Sequence, residues 1–421
     1  MDFSSFLASL MHGDNAVRRS AEEHYNQQLH GNPDATINAL MDVFSSPNES
    51  LVIRSFAGVL LRRAVELYSN KVGLACNQAV RLRFLSLWIV ETNPVVLQRL
   101  SHVMAQSAVQ SPWRELLPSI IGPSMNDRSS VSKPVFGLIE ALSEYCPEDI
   151  AAHLTLLGPF LSRFVGSDCV EHSIQVACSR AICACVASFE ETSATAAFRP
   201  ALEPVIRVLI TALSKQDEID ATKVMNYLVD IAQSQPGFFK GSLDCVAQAM
   251  LTVADTHGLE FSTRSMALEL MVTLTETAPA LVRRCSSLSQ GLIPLAMSLM
   301  LEVEEDEDQW QRGAYCEQPD DRCWVGDEAL ERIAAGLGGR SVSEPLLAAV
   351  QRFAAMADDY RYRRAAVAGL CRLAEGCTKH FGKLYFEKSV EFIVISAGDR
   401  SPRVKYEAIQ VTESIVLYTT L

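Results

Sequence analysis

Glu302 to Asp308 reads EVEEDED, six acids in seven residues, and is followed by Gln309 and Trp310. Carboxylates at that density do electrostatic work: they attract a basic surface and steer its approach, and a flanking indole supplies an aromatic anchor. A block of like charges also repels itself and is commonly a solvated connection between elements, and composition alone leaves both readings open. Groups for covalent chemistry are sparser. The twelve cysteines form no C-x-x-C pair and the eight histidines no H-x-x-x-H, so no ligand spacing for zinc is present. Cys178, Cys183, Cys185 and Cys371 stand in apolar helical contexts, where reduced core thiols are expected. Gly336, Gly338 and Gly339 form a GLGG turn without the strand and spacing of a dinucleotide fingerprint, which reads as a helix terminus. No phosphate loop, nucleophile elbow or H-E-x-x-H pair occurs. These residues imply a binding protein with no catalytic residue, no metal and no cofactor.

The elements that position such a charge cluster are helices. Phe3, Phe6, Leu7, Leu10 and Met11 fall on one helical face. Ile37, Leu40, Met41 and Phe44 form the stripe of another, which ends at Pro47, and Ile53, Phe56, Ala57, Leu60 and Leu61 the stripe of the next. Sustained period-two alternation between hairpin turns is absent, so strands should be nearly absent. The apolar fraction of 48% with only 7% aromatics means burial rests on Ala, Leu and Val, which suits closely packed helices. The longest apolar run, near Leu292 to Leu301, is too short for a membrane span, and no basic region or cleavage site frames the apolar start. A soluble, intracellular chain without membrane insertion is expected. The net charge of −13 repels phosphate backbones, which argues against direct nucleic-acid binding and for a basic protein partner.

One motif opens the second helix of several pairs: a β-branched or aromatic residue, a basic residue, two variable residues and Ala. It appears as Val17, Arg18 and Ala21; Ile53, Arg54 and Ala57; Thr263, Arg264 and Ala267; Tyr362, Arg363 and Ala366; and Val404, Lys405 and Ala408. The last copy extends to Asp399 and Pro402, a D-x-x-P-x-V-K-x-x-A form that resembles the HEAT repeat. Asp can cap the helix, Pro suits its opening turn, and Ala lets a neighbouring helix approach, while the basic residue is expected to meet an acid in an adjoining repeat. Neighbouring copies are separated by 54 − 18 = 36 and 405 − 363 = 42 residues, close to the period of paired-helix repeats. The expected fold is therefore all-α, a right-handed superhelical α-solenoid of about ten HEAT repeats. Degenerate copies are expected near Ser132 and Lys133, near Ser173 and near Lys223, and helical periodicity returns after the acidic run near Glu328.

On these residues the chain resembles the importin-beta superfamily of nuclear transport receptors, most closely the importin-five (karyopherin beta-three) branch. Asn15, Val17, Arg18, Ala21, Glu22 and Glu23, then Arg54, Ala57, Leu60, Leu61, Arg62 and Arg63, are similar to that family's amino-terminal domain. Ala267 to Ala278, Glu304 to Trp310, Glu328 to Arg340 and Tyr362 to Cys377 follow in family order. The resemblance divides the chain into an amino-terminal domain over 1–100, middle repeats over 101–301, an acidic insertion over 302–327 and further repeats over 328–421. It implies a receptor that shuttles between cytoplasm and nucleus, binds Ran in its GTP form, carries basic protein cargo and touches phenylalanine-glycine nucleoporins. The Ran contacts it implies are Glu304, Glu305, Asp306, Glu307, Asp308 and Trp310 in the acidic loop, and the concave second helices around Arg18 and Arg54. Two features depart from the family. Arg312, Cys316, Arg322 and Cys323 dilute the acids beyond Trp310, and the relatives continue far past 421 residues, so part of the cargo surface would be missing and the last repeat should present an apolar edge. The competing class is a HEAT scaffold outside transport, such as a phosphatase subunit or a coat adaptor.

Overall fold

A computed structural model describes residues 3–68, 74–126, 133–167, 169–190, 193–303, 322–356, 358–376 and 386–419. Helices follow one another with no strand among the described residues. The chain forms two compact units, Met1–Ala201 and Leu202–Leu421. The first holds five helix pairs: α1 (Phe3–Leu10) with α2 (Asn15–Gly31), α3 (Pro33–Ser45) with α4 (Leu51–Tyr68), α5 (Leu74–Val90) with α6 (Pro94–Gln110), α7 (Leu116–Asn126) with α8 (Lys133–Tyr145), and α9 (Leu154–Val165) with α10 (His172–Ala187). The second holds five more: α11 (Leu202–Ser214) with α12 (Glu218–Ser234), α13 (Leu243–Asp255) with α14 (Phe261–Thr277), α15 (Ser286–Leu299) with α16 (Cys323–Leu337), α17 (Gly339–Ala354) with α18 (Tyr360–Gly376), and α19 (Phe386–Ala397) with α20 (Pro402–Thr419). Ten pairs match the repeat number expected from spacing, and the chain is an all-α solenoid of HEAT-type repeats. The expected degenerate copies near Lys133, Ser173 and Lys223 correspond to α8, α10 and α12.

Local chemistry sets where helices begin. The Asp14 carboxylate accepts from the Ala16 N–H at 2.7 Å, and the Asn93 side chain accepts from Val95 N–H at 3.0 Å ahead of Pro94. Each satisfies an amide that the first helical turn leaves open, and proline in that turn loses nothing. In each unit the second helices then stack on one another: α4, α6, α8 and α10 in the first, α12, α14, α16, α18 and α20 in the second. The motif alanines Ala57, Ala267, Ala366 and Ala408 lie fully buried in those stacks, as a residue must where two helix backbones approach closely.

The GLGG cluster divides into two roles. Gly338, with φ +77, takes the left-handed conformation that ends α16 and lets α17 start at Gly339. Gly336 lies inside α16, where a Cβ would come within 2.7 Å of the Thr275 carbonyl of α14. Gly326 packs the other way, its would-be Cβ 2.5 Å from the Ala296 carbonyl of α15. Helix α16 is thus held against both neighbours through glycines. It also starts at Cys323, five residues before the expected return of periodicity near Glu328. Its buried face opens with Cys323, Gly326 and Ala329, residues too small to register as an apolar stripe in the sequence. Gly326→Ala is expected to destabilise the second unit by about 1–3 kcal/mol, because the obstructing atoms are backbone and cannot rotate aside. Chemical denaturation measures it, and an unchanged midpoint would show that α15 shifts freely.

The nine cysteines described are all free thiols. Burial pushes Cys178 well up and Cys185 to about 12, so these groups stay neutral and pack as small apolar side chains, as expected from their contexts. No group of three or more His, Cys, Asp or Glu among the described residues is arranged to hold a metal ion. No helix among them is long and apolar enough to cross a membrane. Val394 and Ile395 of α19 and Ile409 of α20 are exposed, an apolar edge on the last described pair.

Candidate partner-binding surface

The basic residue of the repeated motif becomes a cross-repeat strut at three of its five positions. Arg54 donates from Nε to the Phe44 carbonyl at 3.0 Å, at the C-terminal end of α3, and its guanidinium bonds Glu91 of the next repeat. Arg264 repeats this geometry: Nε to the Ala254 carbonyl at 2.9 Å, at the end of α13, and Nη2 to Glu302 at 2.6 Å. Arg363 is paired bidentately with Asp399 at 2.7 and 2.9 Å. A guanidinium suits this place because its planar fork can satisfy the open carbonyls and negative dipole end of one helix while reaching a carboxylate in the next repeat. The acids stand at 91 − 54 = 37, 302 − 264 = 38 and 399 − 363 = 36 residues beyond their arginines, one repeat on.

Two of the three strut acids do a second job. Burial pushes the Glu91 carboxyl up, but the Asn93 N–H and the Arg54 guanidinium outweigh burial and hold it below its ordinary value. Asp399, held down first by Arg363, also accepts from the Ser401 N–H at 2.8 Å, which tightens the turn ahead of α20 without capping one of that helix's own amides, the role expected of it. A depressed carboxyl contributes stability that is complete above the unfolded-state value near 4 and is lost as pH falls through its folded value. The unfolding midpoint should therefore drop below about pH 4, and Asp399→Asn should flatten part of that drop. Parallel acid profiles for the two proteins would exclude Asp399 as a source.

Arg18 shares the motif position but makes no such strut. Arg18 is half-buried and bonds locally, to the His12 carbonyl at 3.1 Å and to the Asn15 side chain. It remains available at the surface of α2. Arg54, only 8% exposed, is turned into the joint between repeats, so any contact made by α4 falls to its neighbours rather than to Arg54 itself.

Glu304, Glu305, Asp306, Glu307, Asp308 and Trp310 lie outside the described residues, but both ends of their segment are placed. Glu302, counted in the sequence as part of the acidic run, is the strut partner of Arg264 and lies 3.7 Å from His257 Nδ1. Two residues earlier, the Met300 carbonyl accepts from Arg364 Nη2 of α18 at 2.6 Å. On the return side, Arg322 stands over the Phe261 ring at the start of α14, 5.3 Å from its centroid. Arginines from α14 and α18 therefore anchor the root of the acidic segment to the layer of second helices. That layer is itself laced with ion pairs: Arg332 of α16 bonds both Glu269 and Glu276 of α14, and Arg372 of α18 bonds Asp327 of α16 at 2.6 Å. Burial pushes the Glu407 carboxyl up, and Arg364, 3.2 Å away, opposes it.

Sequence reasoning foresaw struts in general and missed their acids. Glu91 and Asp399 were legible from the one-repeat offset. Glu302 was hidden by the more conspicuous charges after it.

The chain matches two protein-family models, an importin repeat over residues 256–344 and importin-five-like TPR repeats over residues 95–249. It is 29% identical over 188 residues to importin subunit beta-3 of Saccharomyces cerevisiae, covering 44% of this chain and 17% of that protein. A probable importin-5 homolog of Dictyostelium discoideum is 22% identical over 411 residues, 94% of this chain and 37% of its own length. The chain thus spans well under half the length of these relatives. Among solved structures, Kap121p superposes with a TM-score of 0.81 at 21% identity over 99% of this chain and 40% of that one. Kap121p bound to RanGTP superposes at 0.78 and 22% identity, over 97% of this chain and 39% of that one.

Proposed function

The chain belongs to the importin-beta family of karyopherins, and from that premise we propose that it is the receptor portion that engages Ran in its GTP form. The rooting of the acidic segment carries this reading. Arg264 and Arg364 hold Glu302 and the Met300 carbonyl against the second helices, immediately ahead in sequence of five successive carboxylates. A run of carboxylates at that density attracts a basic surface at long range and speeds the encounter. Kap121p, of the same fold, has been captured with RanGTP, with Nup53p and with Pho4p, which supports Ran and protein cargo as partners here; basic cargo and nucleoporins with phenylalanine-glycine repeats complete the reading. The helices around Arg18 and Arg54, α2 and α4, are the further Ran-contacting elements in this reading, and residues 1–100, 101–301, 302–327 and 328–421 its functional divisions. Such a receptor shuttles between cytoplasm and nucleus and performs no catalysis.

The nucleotide state of a small GTPase reshapes its switch segments, so binding should follow the nucleotide. In a pull-down, Ran loaded with GTP is expected to be retained and Ran loaded with GDP lost. Equal retention of the two, or of neither, would overturn the proposal.

A further inference from the structure

Three serines of the chain precede a proline: Ser46, Ser111 and Ser401. Three residues beyond them stand Glu49, Arg114 and Val404 respectively, so Ser111 alone heads a Ser-Pro-x-Arg sequence. Its place in the fold differs too. Helix α6 ends at Gln110, and Ser111 follows in extended backbone, φ −159 and ψ 129, the conformation that a following proline favours. Ser111, Pro112 and Arg114 are exposed, whereas Ser46 and Ser401 are half-buried. Among the described residues nothing bonds the Ser111 hydroxyl. The connection is held from beneath. Trp113 is buried, with the Arg81 guanidinium of α5 over its ring, 4.9 Å from the centroid. Arg81 Nη2 donates to the Ser107 and Ser111 carbonyls, at 2.8 and 2.5 Å, and so satisfies the open end of α6.

We propose that Ser111 is the phosphate acceptor for a proline-directed serine kinase that reads a basic residue three positions on. Such an enzyme takes its substrate extended, accepts a following residue that has no amide hydrogen, and selects by charge beyond it. Ser111 supplies the hydroxyl, Pro112 the missing N–H and Arg114 the cation. In the transfer the Ser111 Oγ bonds to the γ-phosphorus of ATP as the bond to the bridging oxygen breaks. ADP leaves, and the hydroxyl proton passes to the kinase's carboxylate base. The product carries about two negative charges at pH 7. A counter-charge is already in place, since Arg81 bonds the Ser111 carbonyl, and a phosphate is a stronger, charge-assisted partner than a carbonyl. Glu115 and Asp149 act on that guanidinium from a distance, with no hydrogen bond to it. The inference stands apart from the Ran reading, and neither requires the other.

Incubation of the whole chain with a cyclin-dependent kinase and ATP, followed by mass spectrometry of its proteolytic peptides, tests this. Phosphate is expected on Ser111 and on neither Ser46 nor Ser401. Trp113 must lift from its place before the stretch through Arg114 can lie straight in a kinase cleft, so the folded chain should react more slowly than a free peptide of residues 107–118. Ser111→Ala should abolish incorporation at this position, and Pro112→Ala should nearly do so at Ser111. Arg114→Ala should slow it about tenfold, the loss of one hydrogen bond to a charged group, with the melting temperature unchanged. An unmodified Ser111 in the whole chain, modification of Ser46 or Ser401 in preference to it, or an unchanged rate in Arg114→Ala would each overturn the proposal.

Discussion

Replacing Arg264 by alanine is expected to destabilise the second unit by about 3–5 kcal/mol, the cost of breaking a buried ion pair from one side. The Arg264 side chain is only 5% exposed and that of Glu302 19%, so truncation leaves a largely desolvated carboxylate without its counter-charge. It also uncaps the Ala254 carbonyl at the end of α13, a second unsatisfied buried group. Two variants separate these costs from simple loss of volume. Glu302→Ala should be nearly as damaging, since it strands the guanidinium instead. Arg264→Met with Glu302→Leu should recover much of the loss, because two apolar groups require no counter-charge. Denaturant unfolding of the four proteins decides. If both single variants unfold with the midpoint of the parent, the strut is an exposed surface pair worth little, and the burial argument fails.

Serine at Glu304, Glu305, Asp306, Glu307 and Asp308 together should weaken Ran-GTP binding by tenfold or more at low salt and leave the melting temperature untouched. Each exposed charge contributes a few tenths to about 1 kcal/mol, and the sum shrinks as salt screens separations beyond about 8–10 Å. The gap between parent and variant should therefore narrow as ionic strength rises. Glu302 must be left in place. It is tied to Arg264, so replacing all six acids would mix a folding defect into the binding measurement. Titration calorimetry of both proteins at two salt concentrations gives the answer, and matching affinities at both would show the five acids to be solvated bystanders.

The repeat architecture was legible in the sequence because it is written in local terms. A strut arginine and a packing alanine recur three residues apart, and each acts on its own helix or the next one. Arg54, Ala57, Arg363, Ala366, Asp399 and Ala408 occupy the places that motif assigns them. What the second helices do with their arginines was decided by tertiary structure. Arg18 and Arg54 share a motif position, yet one is half-buried and bonded only to near neighbours in sequence while the other is buried against Glu91, because α4 has a following repeat stacked on it whose acid the side chain can reach. Glu302 and its acidic neighbours share a composition, but only packing shows that Glu302 is tied to Arg264 of α14. The glycines of α16 divide in the same way: Gly338 announces a helix end by its residue type, whereas Gly326 and Gly336 have a purpose only once the carbonyls of Ala296 and Thr275 lie against them. Short-range propensity is set by each residue and its neighbours in the chain. Burial, counter-charge and close backbone approach depend on residues some 30 to 65 positions away, which only the stacking of successive repeats brings together.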